Sequence, residues 1–209
     1  MSYEEFNLEQ ISSDFDLEIE ENVELFADIQ EVKLDEFFLK YLHNNIPLAV
    51  AISTEKAKSE MIIAPILIEL RRMLNNQISL FSGVEFNVDS TRGLNGFCDF
   101  LISRSRQQSF IKSPVVAIVE AKNDNIKSGY AQCMAEMIAA KIFNEREDKE
   151  FENIFGVVTN GNQWKFLKLN EDVIYIDLND YYIISPEKIM GILISMVKPE
   201  SINSVQVNG

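Results

Sequence analysis

Two charged side chains, Glu120 and Lys122, end the most apolar segment of the chain, residues 114–122 (PVVAIVEAK). The β-branched run in this segment predicts a central β-strand that is covered on both faces. Side chains two residues apart on a strand share a face, so both charges are expected beside Val116 and Ile118. Because an unpaired buried charge is costly, the two groups need a partner or a chemical role. The alternative is that they simply emerge where the strand leaves the core.

A second carboxylate, Asp99, lies near the start of a predicted strand at 97–103 (FCDFLIS). If this strand pairs with 114–122, Asp99 and Glu120 converge at one end of the sheet. Two carboxylates about 4 Å apart repel by about 4 kcal/mol at an effective dielectric of ~20, so a cation between them or a proton on one of them is required. Mg²⁺ prefers such oxygen ligands and keeps several waters. Lys122 beside the ion would then hold the attacking water and stabilise negative charge on a phosphate.

The elements that position these groups alternate between helix and strand. Hydrophobic periodicity predicts an α/β fold in a single domain, with a mixed β-sheet flanked by α-helices. Ser53 or Thr54 is the expected cap of the second helix, and Pro65 inside that helix is expected to kink it or loosen one turn. The predicted helices are 29–43, 53–74, 126–144 and one from Ser185 onward, and the predicted strands are 78–88, 97–103, 114–122, 154–159, 164–169 and 173–178.

The order of these motifs resembles the PD-(D/E)xK nuclease superfamily, which has the restriction-endonuclease-like fold. The motifs are a helix with Glu60, then Gly96-Phe-Cys-Asp99, then Val119-Glu120-Ala-Lys122, then a helix that carries Gln132. The hairpin at 156–166 is similar to one in restriction-subunit-like and uncharacterised bacterial members. The resemblance covers about residues 53–170. It departs from the family at Cys98, where the proline of the family name would precede the aspartate.

The resemblance implies a metal-dependent nuclease that hydrolyses phosphodiester bonds, with DNA as the expected substrate. Asp99, Glu120 and Glu60 would then be ligands of Mg²⁺ or Mn²⁺, and Lys122 would be the catalytic lysine. Gln132 matches a polar position that orients water or a ligand. Glu136 lies one turn after Gln132, where some relatives carry a tyrosine.

The acid on the first helix of that core has two candidates, Glu60 and Glu69. They flank an apolar stripe on the helix from opposite sides, so the periodicity does not choose between them. Each also has a basic neighbour at helical spacing, Lys56 or Arg72, which is typical of ordinary surface ion pairs. The resemblance favours Glu60, because the family's glutamate lies early in this helix.

Basic residues in two connections are candidates for contacts with phosphates: Arg92, and Arg104, Arg106 and Lys112 in the polar loop 103–113. Both connections are expected to flank the site, since binding residues are often found on loops. A solvated hairpin loop is the alternative for 103–113. His43 is the only histidine, and it is interpreted as an incidental surface or core residue that forms neither a Ser-His-Asp arrangement nor a histidine-rich metal site. Trp164 is expected to pack in the core.

Acidic side chains are concentrated at the start of the chain. Residues 1–36 hold 13 acidic side chains and one basic one, a net charge of −12, whereas residues 37–209 have a net charge of only −2. The overall charge of −14 therefore does not exclude a nucleic-acid partner, because the domain at 37–209 is nearly neutral. Residues 12–24 (SSDFDLEIEENVE) alternate acidic and apolar side chains and are interpreted as a solvated edge strand, a helix or a partner-binding tail. The acidic segment 1–36 as a whole is also a candidate autoinhibitory competitor of DNA.

Composition bears on where the protein is located in the cell. The chain has no apolar run long enough for a membrane span, no signal-peptide pattern and two cysteines, Cys98 and Cys133, so a cytoplasmic protein that binds no membrane is expected. A homodimer is a further expectation, because cleavage of both strands of a duplex often uses two copies of one domain. The alternative to an enzyme is a catalytically silent protein of the same fold that binds a partner or has a regulatory role.

Overall fold

A mixed, open β-sheet of eight strands runs through the protein. The computed structural model describes residues 1–149 and 151–198. Seven strands follow the order β1-β7-β6-β5-β4-β3-β2, and β8 pairs with β6 beside this path. The strands are β1 (Glu18–Val23), β2 (Ser79–Glu85), β3 (Phe97–Ser103), β4 (Val115–Ala121), β5 (Asn153–Thr159), β6 (Gln163–Asn170), β7 (Val173–Asp177) and β8 (Tyr181–Tyr182). The predicted α/β architecture with a mixed sheet is confirmed.

Helices cover both faces of the sheet. One apolar cluster joins the sheet to α2, α4 and α6, and a second cluster joins the other face to α1 and α5. Among the described residues, no helix is both long enough and apolar enough to cross a bilayer. The helices are α1 (Leu8–Phe15), α2 (Glu36–Ile52), α3 (Glu55–Lys58), α4 (Ala64–Met73), α5 (Tyr130–Arg146) and α6 (Pro186–Val197).

The predicted second helix is one continuous segment from α3 to α4, interrupted by a π-helical turn at Ser59–Ile63. The Thr54 side chain caps its start by accepting a hydrogen bond from the Ala57 N–H at 3.1 Å. The backbone N–H of Ala64 donates to the Ser59 carbonyl, five residues earlier, directly before Pro65. A proline lacks an N–H, so the widened turn absorbs the break in the hydrogen-bond ladder. The prediction that Pro65 loosens one turn is confirmed.

The first predicted helix lies later in the chain than expected. Instead of 29–43, α2 begins at Glu36, where the Asp35 side chain accepts a hydrogen bond from the Phe37 N–H at 2.9 Å, and it continues to Ile52. The cap at Asp35 explains the later start. The remaining predicted strands and helices are present with shifts of a few residues at their ends.

A register shift between β3 and β4 decides which side chains share a face. Ile102 is opposite Ala117 and Ser103 is opposite Val115, so Val116 is an extra residue in β4. Val116 therefore packs in the same cluster as Ala117, whereas Ile118 packs on the other face. The expectation that Val116 shares a face with Glu120 is wrong, because this β-bulge interrupts the alternation of side chains.

The acidic N-terminal residues are built into the fold. Strand β1 pairs in parallel with β7 at the edge of the sheet, so the edge-strand interpretation of this segment is confirmed. The Tyr3 hydroxyl donates a hydrogen bond to the Phe86 carbonyl at 2.5 Å. Four apolar side chains of this segment are buried against the face that α5 covers: Tyr3, Phe6, Ile11 and Leu17.

Removal of the Tyr3 ring should destabilise the whole protein. Large-to-small substitution of a buried aromatic residue typically costs about 3–5 kcal/mol, so we expect the free energy of unfolding of Tyr3→Ala to fall by that amount in urea denaturation. The neighbouring Glu4 is exposed, and Glu4→Gln is the control that should change stability by less than about 0.5 kcal/mol. Equal midpoints for Tyr3→Ala and the wild type would show that this segment does not belong to the cooperative core.

Candidate active site

Asp99 and Glu120 lie at the same end of the sheet, on neighbouring antiparallel strands. The pairing of β3 with β4 includes Phe100 opposite Val119, which places Asp99 beside the end of β4. The Asp99 Oδ2 atom accepts a hydrogen bond from the backbone N–H of Ala121 at 2.8 Å. The aspartate side chain thus bridges the two strands where their backbone pairing ends, and its position is fixed by the strand that carries Glu120.

A chain of hydrogen bonds joins four polar side chains at this end of the sheet. The Lys122 ammonium donates to Glu120 Oε1 at 2.6 Å and to Gln132 Oε1 at 3.0 Å. The Gln132 Nε2 group donates in turn to Glu136 Oε1 at 3.1 Å. A lysine has only donors, so the amide oxygen of Gln132 must face Lys122 and its amino group must face Glu136. The structure therefore brings together four of the residues on which the sequence argument depends: Asp99, Glu120, Lys122 and Gln132.

The loop after β4 and the start of α3 hold this arrangement in place. A Cβ atom at Gly129 would lie 2.9 Å from Lys122 Cε, so the absence of a side chain there leaves space for the lysine. The buried Lys58 ammonium donates to the Asn123 carbonyl and Oδ1 and lies 3.4 Å from Asp124 Oδ1. Lys58 thus ties the first turn of the helical segment to the residues that directly follow Lys122.

Burial dominates the electrostatics of the cluster. Glu120 is 2% exposed, and burial together with the charge of Asp99 raises its pKa to about 8, against the opposing effect of Lys122. Burial also raises the pKa of Asp99, although the Ala121 N–H opposes this shift. Burial alone would lower the pKa of Lys122, but the charge and hydrogen bond of Glu120 raise it, so this ammonium stays charged.

Glu136 is a buried carboxyl group on α5, one turn after Gln132. It is 0% exposed, and burial followed by the charge of Glu120 raises its pKa well above the usual range. It lies on α5, where nearly every side chain of the first three turns is buried. The all-round apolar character of that helix was the sequence signal that a glutamate there would be buried.

Two carboxylate oxygens in the cluster have no hydrogen-bond partner among the described residues, Glu120 Oε2 and Glu136 Oε2. A buried acceptor without a partner costs free energy, and a bound cation would remove that cost. Within residues 1–149 and 151–198, no group of three or more His, Cys, Asp or Glu side chains is arranged to hold a metal ion. Asp99 and Glu120 supply two carboxylate groups on facing positions of β3 and β4, and carboxylate oxygens are the ligand type that Mg²⁺ prefers.

Neither predicted helix acid joins the cluster. Glu60 is paired in solvent with Lys56 at 3.7 Å, and its side chain is 62% exposed. Glu69 is buried and accepts two hydrogen bonds from Arg72. Glu55, the exposed first residue of α3, lies close enough for its charge to add to the raised pKa of Glu120, which burial and the charge of Asp99 dominate. The Thr54 cap was the available signal, because it marks the helix end at which Glu55 lies.

Three of the predicted phosphate contacts lie away from this cluster. The loop with Arg104, Arg106 and Lys112 connects the end of β3 to the start of β4. Asp99 precedes Arg104 by five residues, or about 17 Å along an extended strand. The expectation that this loop flanks the site is wrong, because the loop of an antiparallel hairpin and its open ends lie at opposite ends of the sheet.

The side chains of this distant loop have structural partners. The Arg104 guanidinium donates to the Met196 and Val197 carbonyls at the end of α6, and it lies 5.2 Å from the centre of the Phe151 ring. Arg106 donates to Gln77 Oε1 at 2.6 Å. These contacts give Arg104 and Arg106 structural roles that need no nucleic-acid partner.

Arg92 follows β2 at the same end of the sheet as Asp99. Its guanidinium lies 4.5 Å from the centre of the Phe15 ring, so the N-terminal segment packs on it. The Tyr3 N–H donates to the Asn95 carbonyl at 3.1 Å, which places the first residues of the chain beside the start of β3. Trp164 is fully buried and donates to the Gly161 carbonyl at 3.1 Å, so its predicted packing role is confirmed.

The chain matches no known protein family, no curated protein and no solved structure.

The buried carboxyl groups should make stability depend on pH. A carboxyl with a raised pKa keeps its proton in the folded state and loses it in the unfolded chain, so the free energy of unfolding falls as pH rises from about 5 towards 8. The fall is at most about 1.4 kcal/mol per pH unit for each group. We expect Glu136→Gln to reduce this fall, measured by denaturation at several pH values.

Glu145→Gln is the matched control, because Glu145 is exposed on the same helix. It should leave the slope of stability against pH unchanged. The same slope in Glu136→Gln and the wild type would mean that Glu136 is ionised in the folded protein.

Proposed function

We propose that the protein is a divalent-metal-dependent nuclease of the restriction-endonuclease-like type that hydrolyses phosphodiester bonds in DNA. The observation that carries the proposal is the buried Glu120 carboxylate, which has an unpartnered oxygen, lies next to Asp99 and is hydrogen-bonded to Lys122. Two acids and a lysine at the end of a buried strand form a costly arrangement, and metal-assisted hydrolysis is a reaction that uses all three.

Mg²⁺ or Mn²⁺ is the proposed cofactor. Asp99 and Glu120 would hold it through their carboxylate oxygens, with water and a substrate phosphate oxygen completing its coordination. A bound ion would polarise the phosphate and lower the pKa of a bound water. The raised pKa of Glu120 fits this role, because a dication beside the carboxylate offsets both its burial and its repulsion by Asp99.

Lys122 is the proposed catalytic lysine. Its ammonium is held by Glu120 and Gln132, so its position is defined before any substrate binds. A fixed positive charge at this point orients the attacking water and stabilises the negative charge that develops on the phosphate. Gln132 contributes by presenting its amide oxygen to Lys122, and Glu136 sets the orientation of that amide.

The chain path supports the fold assignment in this proposal. Antiparallel strands β2, β3 and β4 are followed by α5 and then by β5, which pairs in parallel with β4. The helical segment that begins at Glu55 precedes these strands and packs on the opposite face of the sheet from α5. This order of elements is the one that the resemblance implies for its common core.

Two revisions to the proposed site follow from the positions of the side chains. Glu55 replaces Glu60 as the acid from the first helix of the core. Arg92 is kept as a contact for DNA because it lies at the end of the sheet that carries the acids. Arg104, Arg106 and Lys112 are not proposed as contacts near the cleaved bond, because they lie at the other end of the sheet.

A cleavage assay with Mg²⁺ or Mn²⁺ tests the proposal. Wild-type protein should cleave DNA, and Glu120→Ala and Lys122→Ala should each lower the rate by about 100-fold or more, since each removes a charge that stabilises the transition state. Chelation of the metal with EDTA should abolish cleavage. Mn²⁺ binding by isothermal titration calorimetry should be lost in Glu120→Ala and kept in Lys122→Ala.

A matched pair of variants distinguishes the helix acids in the same assay. Glu55→Gln should raise the Mg²⁺ concentration needed for half-maximal activity, whereas Glu60→Gln should leave it unchanged. Wild-type levels of cleavage in Glu120→Ala or Lys122→Ala would remove those residues from the mechanism.

A second candidate function is a catalytically silent partner-binding protein, which the exposed acidic strand favours. Glu18, Glu20 and Glu21 are all exposed on β1, at the edge of the sheet. Such edges are available for pairing with another chain. Binding of Mn²⁺ separates the two functions, because a silent scaffold has no requirement for a cation beside Asp99.

The acidic N-terminal segment remains a proposed competitor of DNA. Deletion of this segment would remove β1 and buried core residues, so neutralisation of the charge is the better test. Substitution of Glu18, Glu20 and Glu21 by Gln should tighten DNA binding at low salt, with less effect at high salt where charges are screened. Unchanged affinity at low salt would contradict competition by this strand.

A further inference from the structure

Helix α2 carries a stripe of large apolar side chains that face solvent: Phe37, Tyr41, Leu48 and Ile52. Each of them is between 45% and 85% exposed. Their spacings of four, seven and four residues place them on one face of the helix. Leu42 and Ala49, on the other side of the same helix, are buried in the core cluster. The helix is therefore anchored on one side and presents a second apolar face outward.

The stripe is symmetric along the sequence. Phe37 and Ile52 are equally distant from the midpoint between Asn44 and Asn45, and so are Tyr41 and Leu48. A two-fold axis at that midpoint would bring Phe37 of one copy against Ile52 of another. A two-fold interface requires this reciprocity, in which residue i contacts residue j and j contacts i. The helical spacing of the stripe therefore meets the geometric requirement of a two-fold interface.

The size of the stripe is consistent with the centre of a dimer interface. With about 150–200 Å² for each large side chain, the exposed fractions leave about 400 Å² of apolar surface per copy. A standard protein interface buries about 800 Å² per partner, of which the apolar centre is a part. Patches of this size on a single chain are often binding sites.

We propose that two copies of this chain associate through α2, with the two helices packed antiparallel about the midpoint of Asn44 and Asn45. Asn44, which is exposed and close to the axis, would face its counterpart and fix the register. A membrane surface is disfavoured as the occupant, because α2 has one lysine and no arginine and the first 36 residues carry a net charge of −12. The inference rests on the shape of α2 and is independent of the proposed catalytic activity.

The net charge of −14 per chain makes the salt dependence of dimerisation a test of whether the interface is apolar or held by ion pairs. Two copies repel each other, and salt screens this repulsion, so dimerisation should strengthen as the salt concentration rises. An interface held mainly by ion pairs would weaken instead.

Sedimentation velocity of the full chain between about 1 and 100 μM, at low and high salt, tests the proposal. We expect a species of twice the 23.9 kDa chain mass, favoured by concentration and by salt. Leu48→Glu should weaken dimerisation by at least about tenfold, because it places a charge in the apolar centre. Val50→Glu is the control: Val50 is 54% exposed on the same helix but lies off the stripe, so this variant should dimerise normally.

Oxidation with diamide of variants that each carry one added cysteine tests the register, because the native Cys98 and Cys133 are buried. Asn44→Cys lies near the axis and should form a covalent dimer, whereas Phe37→Cys alone should not, and a mixture of Phe37→Cys with Ile52→Cys should. Four results would overturn the proposal: a monomer at all concentrations, equal disruption by Val50→Glu, efficient self-crosslinking of Phe37→Cys, or binding to anionic vesicles that Leu48→Glu abolishes.

Discussion

The burial of a carboxylate at the end of the central strand is the constraint around which this end of the molecule is organised. Glu120 is almost completely buried, and the ionised form of a carboxyl group in that environment needs compensation. Lys122 supplies a countercharge to one oxygen, while the other oxygen has no hydrogen-bond partner in the described part of the chain. Gln132 and Glu136 continue the network into α5. A group in this state is poised to bind a positive charge.

The sheet makes this placement possible because β4 is covered on both sides. All seven of its residues are buried, and helices pack on each face. The bulge at Val116 sets which side chains of β4 turn towards α5, and Lys122 and Gln132 then link Glu120 to Glu136 on that helix. The hydrogen bond from the Ala121 N–H to Asp99 then holds the start of β3 beside the end of β4. The pairing of β3 with β4 therefore determines where the carboxyl groups of Asp99 and Glu120 lie.

Most of the elements were predictable from the sequence, because long apolar patterns with clear caps specify them. Three of these signals depend only on neighbouring residues, and each predicted a feature that is present: the apolar run of β4, the cap at Thr54 and the loosened turn before Pro65. The convergence of Asp99 with Glu120 was also expected from strand pairing. The position of the basic loop was an avoidable error, since the polarity of an antiparallel hairpin already puts its loop at the far end from Asp99.

Other features could not be predicted because they depend on tertiary contacts. A bulge such as that at Val116 leaves no pattern in a run of apolar residues. Glu55 and Glu60 are both glutamates in the first two turns of the same helical segment. The direction in which that segment packs on the sheet decides which of them lies closer to Glu120. The buried Tyr3 and Ile11 were obscured by the acids around them, so charge counting assigned the first 36 residues to a separate segment although they contribute to the core.

The pairing of β1 with β7 also affects how the chain folds. The two strands are separated by some 150 residues, so β1 has no partner until nearly all of the domain has been synthesised. Contacts between such distant segments close slowly, because the long intervening loop must first be ordered. In the meantime β1 is an unpaired strand that other chains could join, and its glutamates disfavour that association through mutual repulsion. The acidity of this segment thus protects the nascent chain from aggregation before the last edge of the sheet is formed.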